Sequence, residues 1–147
     1  MISWQSLVTL AHLIGLAAAV GAATVKLTLL LKAGFDSERI SAYLKVVRPI
    51  TALIMMGLVL LTLSGIGWLL LGYPLTPLLI VKIVGVAMIW LIGPVIDKVL
   101  EPKFRRLAPA AGATASPEFR SARNRYLAVE TFADVLFYAI VIMWVLR

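Results

Sequence analysis

The chain has 147 residues, 62% of them hydrophobic and 14% charged, and its 14 Lys+Arg outnumber 7 Asp+Glu for a net charge of +7. With a mean hydropathy of +1.01 it cannot be a water-soluble globule of this size, because too little polar surface is available to cover the apolar residues. The absence of cysteine excludes disulfides and thiolate metal sites, a single His12 excludes a multi-histidine cluster within one chain, and basic residues that flank long apolar runs signal membrane topology rather than nucleic-acid binding.

Four apolar runs, at about 6–31, 49–71, 78–96 and 126–146, each approach the ~20 residues that cross ~30 Å of hydrocarbon as a helix. They predict an all-α membrane protein, a single antiparallel four-transmembrane-helix bundle over residues 1–147. The first run has no basic residue ahead of it and carries Lys26 and Lys32 at its far end, so it reads as a retained helix rather than a signal peptide. On it, His12, Gly15, Ala19, Ala22 and Lys26 share one face. In the second run Pro49 suits a first helical turn, and Gly57, Leu61, Ser64 and Trp68 form a stripe suited to close helix packing. Gly72 to Pro77, with two prolines, predicts a tight turn that makes the second and third helices neighbours.

The third run holds Lys82 near its start and Gly93 and Pro94 near its end, the latter pair predicting a kink or a frayed terminus. Residues 98–124 then read as a flexible cytoplasmic loop, with a basic stretch at Lys103, Arg105 and Arg106. A tract of small residues and prolines from Ala108 to Pro117 follows and is expected to be mobile. On the fourth run Glu130, Asp134 and Tyr138 recur every four residues along one face.

Lys and Arg gather in the first connection (Lys32, Arg39, Lys45, Arg48) and the third (Lys98, Lys103, Arg105, Arg106, Arg120, Arg123, Arg125), and the second has none. The positive-inside rule therefore places both termini on the non-cytoplasmic side. Aromatic belts agree, with Trp4, Trp68, Tyr73 and Trp144 expected at the outer interface and Tyr43 and Tyr126 at the inner one. The basic face favours anionic lipid.

Charges within hydrocarbon are costly, which singles out His12, Lys26, Lys82, Glu130 and Asp134. By depth, Lys26 is expected to pair with Glu130. His12 is expected to share an outer layer with Ser64, Lys82 and Tyr138, and Trp90 to donate to the more deeply set Asp134. Two readings follow: a working pocket built on His12, Lys82 and Asp134, or a hydrogen-bonded network that fixes helix register. The small-residue stripes through Gly15, Ala19 and Ala22 or Gly57 and Ser64 are expected to mediate a homodimer.

The segments Leu10 to Gly15, Leu63 to Gly65, the Lys82 region and Tyr126 to Glu130 together resemble the four-helix architecture of CopD-type copper-resistance membrane domains, HemJ-type protoporphyrinogen oxidases and small bacterial four-span proteins. The resemblance follows span order through nearly the whole chain, on short motifs. It implies a multi-pass protein of the bacterial inner membrane. From the HemJ-type group it implies that His12 and Lys82 attend heme b or a porphyrin, with His12 as a possible axial ligand. The aromatic-rich segment that follows that histidine in those enzymes is here Ala17 to Ala23, a departure that weighs against the enzymatic role. Copper handling fits poorly, because Met55 and Met56 are adjacent and cannot share a face. The sequence thus leaves three functions: binding or transport of a small ligand, cation or proton; a heme- or porphyrin-binding redox protein; or a structural subunit of a larger membrane complex.

Overall fold

The computed structural model describes residues 3–145, with side chains as far as Met143. It is all-helical: α1 spans Trp4–Ala33, α2 Ser37–Leu70 and α3 Pro77–Val95; a π turn at Ile96–Leu100 and α4, Glu101–Leu107, continue α3, and α5 spans Pro117–Val145. Four helical rods are long and apolar enough to cross a membrane: α1, α2, the composite Pro77–Leu107 and the described part of α5, Pro117–Met143.

Short polar caps set the helix starts. Ser3 Oγ accepts the Ser6 N–H to open α1, Asp36 accepts the N–H groups of Glu38 and Arg39 to open α2, and Thr76 accepts Leu79 N–H ahead of Pro77. Gly34, at φ 57°, ends α1 in a conformation that a side chain would strain.

The helices run past the apolar segments from which they are predicted. α2 begins at Ser37 rather than near residue 49, and Pro49 sits inside it. Its 34 residues reach about 51 Å, well beyond a hydrocarbon thickness of ~30 Å. Hydropathy marks where a helix meets lipid. It is silent on turns that bury one face against protein, here Ile40, Tyr43 and Val47.

The flexible loop expected at 98–124 is mostly helix. Residues 98–107 belong to the π turn and α4, α5 begins at Pro117, and only Ala108–Ser116 connects them. Pro94, expected to mark a kink or a frayed terminus, and Pro102 are absorbed by the π turn between them, where Glu101 N–H reaches back five residues to Ile96 O. The alanine- and proline-rich tract, expected to be mobile, turns through Gly112 (φ 80°) and is tied to the start of α2 by Gly112 N–H donating to Ser37 Oγ at 3.0 Å.

Two clusters form the core. Near the basic end, Leu30, Ile40, Tyr43, Val47, Phe104, Phe119 and Tyr126 pack from α1, α2, α4 and α5, and Arg123 fastens α5 to the end of α1 by donating to Leu30 O while its guanidinium stacks 4.7 Å from Phe35. Within the apolar span, Ala19, Ala23, Leu58, Ile89 and Phe137 form the second.

α1 and α2 approach most closely at their small residues. A Cβ on Gly15 would lie 2.9 Å from Gly57 O and Leu61 N, and one on Gly57 would collide with Ala19 N. The two stripes expected to mediate a homodimer are therefore spent on each other inside one chain. Glycine lets the backbones approach, and dispersion between them stands in for the hydrophobic drive that lipid does not supply.

Candidate functional site

The centre of the molecule is one lysine. Lys26, only 2% exposed, places Nζ 2.6 Å from Glu130 Oε1, 3.8 Å from Asp97 Oδ1 and 3.9 Å from Glu101 Oε2. The Glu130 pairing is the one its depth in the sequence predicts. The other two carboxylates come from the region read as a loop, because the helical continuation past Pro94 carries Asp97 and Glu101, four residues apart, onto the side facing α1 and α5.

The cluster is buttressed from the basic side. Arg105 Nη2 lies 3.4 Å from Glu101 Oε1 and donates to Leu44 O at 3.3 Å. Tyr126, fully buried, lies under the Lys26 ammonium at 5.7 Å and shares a 2.7 Å hydroxyl hydrogen bond with Tyr43. Two cations thus face three carboxylates in this network, one negative charge in excess.

Asp134 sits one turn along α5 from Glu130 and is 7% exposed. Among the described residues it forms no ion pair; Thr24 Oγ1 lies 3.3 Å from Oδ1. The single Thr24 hydroxyl hydrogen is shared between Asp134 and Val20 O, the latter at 2.9 Å, and Thr24 Oγ1 accepts from the Tyr138 hydroxyl at 2.9 Å. This links Asp134 to a tyrosine that is 43% exposed.

A small cavity of about 50 Å³ joins the two groups, lined by Lys26, Asp97, Glu130 and Asp134 with apolar walls at Ile54, Met55, Ile89 and Phe137. That volume admits a few waters and no larger solute. A second cavity of about 270 Å³, lined by Arg48, Thr51, Asp97, Glu101, Pro102 and Arg105, shares Thr51 and Asp97 with the first. The two cavities thus adjoin at Thr51 and Asp97, one toward the basic end and the other reaching Asp134.

The half of the bundle away from the basic end holds a separate arrangement. His12 Nδ1 and Ser64 Oγ are 2.9 Å apart, and Ser64 Oγ donates to Leu60 O at 2.6 Å. With its only hydrogen spent there, the serine accepts from His12, so Nδ1 carries the proton and the Nε2 lone pair is left open. Lys82 is near enough for its charge to act on His12, yet among the described residues it makes no ion pair.

The structure therefore divides the expected constellation. His12, Ser64 and Lys82 lie in one layer, but Tyr138 bonds Thr24 instead, twelve residues or about 18 Å along α1 from His12. Asp134 belongs with Thr24 and Lys26, and Trp90 Nε1–H donates to Thr62 Oγ1 at 3.0 Å rather than to Asp134. Depth along a helix predicts the level of a side chain but not its azimuth, and the indole points to α2. Asp97, Glu101, Thr24 and Thr51 escape the sequence reading, and Arg105 figures there only as part of a basic loop; the i, i+4 spacing of Asp97 and Glu101 was the available signal, masked by the adjacent prolines. Trp144, expected at the outer belt, has its side chain outside the described residues. Among the described residues no three His, Cys, Asp or Glu side chains are arranged to hold a metal ion.

No known protein family, curated protein or solved structure matches this chain. What the fold and site define is a class: a four-helix membrane protein with a buried cluster of charged residues at Lys26, Glu101 and Glu130.

Proposed function

We propose that the chain is an antiparallel bundle of the bacterial inner membrane, both termini on the non-cytoplasmic side, that takes up and passes protons through the Lys26 cluster and Asp134. The antiparallel arrangement is supported by contacts that run in opposite order along α1 and α2: Val8 on Gly67, His12 on Ser64, Gly15 on Gly57. The orientation rests on the basic connections.

The observation that carries the proton reading is Asp134, a carboxylate buried in the apolar span with a hydroxyl for a partner and a water-sized cavity leading to it. Carboxylates exceed cations in the combined network by two, a balance that protons exchanged through the cavity restore. A proton suits the site better than a metal ion, because the Lys26 ammonium already occupies the position that the three carboxylates would offer a cation. Purified protein in proteoliposomes loaded with a pH-sensitive dye is expected to speed acidification under an imposed potential, and Asp134→Asn to abolish the gain with helicity retained. Parent vesicles no leakier than protein-free ones would refute the reading.

A second reading attaches to His12, whose open Nε2 suits an axial ligand of the heme that the family resemblance implies. The imidazole fits as one donor; α1 and α2 are too close at Gly15 and Gly57 to admit a macrocycle between them, so a porphyrin would lie on the Lys82 side. Titration of hemin into the purified protein is expected to give a Soret band lost in His12→Ala; no band would eliminate this reading.

A further inference from the structure

The larger cavity, at the basic end, has a composition that proton traffic does not require. It opens between α2 and the rod formed by α3, the π turn and α4, helices that make few close backbone approaches and are pegged together by Trp90 on Thr62 and Arg105 on Leu44 O. Its walls carry two guanidinium groups and two carboxylates: Arg48 and Arg105 against Asp97 and Glu101. Among the described residues Arg48 makes no ion pair, and the contacts of Arg105 engage Nη2, leaving its other donors available. Thr51 adds a buried hydroxyl with no hydrogen-bond partner, on the wall common to both cavities. Such an orphan group calls for a polar occupant.

The position of the cavity says where that occupant comes from. Residues 49–70 of α2 and 83–96 of the rod that α3 and the π turn form contain no charged side chain, so Arg48 and Asp97 mark the edge of the hydrocarbon on both walls. On the hydrocarbon side of that edge α2 and α3 expose apolar side chains such as Met56, Leu91 and Val95, surface along which an acyl chain can lie. Lys26 reaches Asp97 and Glu101 through one oxygen each, at 3.8 and 3.9 Å, so both carboxylates keep acceptor sites beyond it; a solely anionic headgroup would face them, and a solely cationic one would face two guanidiniums. A group bearing both charges satisfies the whole lining.

We propose that the cleft between α2 and the α3–α4 rod binds a zwitterionic aminophospholipid, its phosphate held by Arg48 and Arg105 and its ammonium by Asp97 and Glu101. Guanidinium matches phosphate through paired N–H donors, and the carboxylates accept from the ammonium. The Thr51 hydroxyl then donates to a phosphate oxygen. The site shares Asp97 and Glu101 with the proton reading but is tested apart from it, because occupancy is measured at equilibrium without a gradient.

The test is native mass spectrometry of the full chain in mild detergent, exchanged against an equimolar mixture of phosphatidylethanolamine and phosphatidylglycerol with identical acyl chains. Retention of phosphatidylethanolamine about tenfold above phosphatidylglycerol is expected. Arg48→Gln, an exposed position that should leave the fold intact, is expected to reduce that preference to near unity, whereas Arg106→Gln, outside the cavity, should preserve it. Equal retention of the two lipids by the parent protein would overturn the proposal, as would an unchanged preference in Arg48→Gln. Displacement of the lipid by free O-phosphoethanolamine at matched concentration would overturn the lipid source, identifying a soluble ligand of the same headgroup chemistry.

Discussion

Replacing Lys26 by Met tests whether the charged cluster holds the bundle together. Attraction between unit charges falls inversely with distance, so at equal effective dielectric the 2.6 Å contact with Glu130 is about one and a half times as strong as the contacts with Asp97 and Glu101 at 3.8 and 3.9 Å. The larger part of the cost comes from what Met leaves behind: three carboxylates converging on an apolar side chain, with Arg105 the cation in ion contact with one of them. Removing one partner of a buried pair costs about 3–5 kcal/mol, and Lys26→Met is expected in that range. Glu130→Gln leaves the ammonium paired with Asp97 and Glu101 and should cost about 1–3 kcal/mol. The double variant should be less destabilised than the two single costs combined, by about 1–3 kcal/mol, because removing both partners relieves the uncompensated charge. Reversible unfolding in mixed micelles, followed by helical circular dichroism, measures all three. Costs that simply add, or a Lys26→Met variant within about 1 kcal/mol of the parent, would refute the cluster as the organising interaction.

Gly57→Ala should destabilise the protein by about 1–3 kcal/mol in the same assay, since its Cβ meets the Ala19 backbone, which cannot turn aside. Gly21→Ala, with open space around it, should be neutral or stabilising by up to about 1 kcal/mol. Tyr43→Phe removes the 2.7 Å hydrogen bond between the two buried hydroxyls and should cost about 1–3 kcal/mol; a neutral result would mean that Glu130 alone satisfies Tyr126. Nitrogen NMR of labelled His12 in its neutral form should report a proton on Nδ1 and none on Nε2, a preference weakened in Ser64→Ala; the opposite tautomer would contradict the hydrogen-bond direction inferred from Leu60 O.

What the sequence determines by itself is the part of the protein governed by lipid. The cost of placing a residue in hydrocarbon accumulates locally along the chain, so composition alone yields four spans and the residues that offend the bilayer, and the Lys26–Glu130 pair follows from depth on two helices. Tertiary structure decides whatever depends on azimuth and on contact between distant helices. Trp90 and Asp134 stand near one level yet turn to different partners, Thr62 and Thr24. The glycine stripes that suggest a second chain find their complement within the first. The prolines at 94 and 102 would end an isolated helix, but a π turn and the packing of Ile96 and Phe104 carry it onward, and only so do Asp97 and Glu101 reach Lys26. Local sequence prices each residue against water and lipid; which face it turns, and toward what, is fixed only when the helices cross.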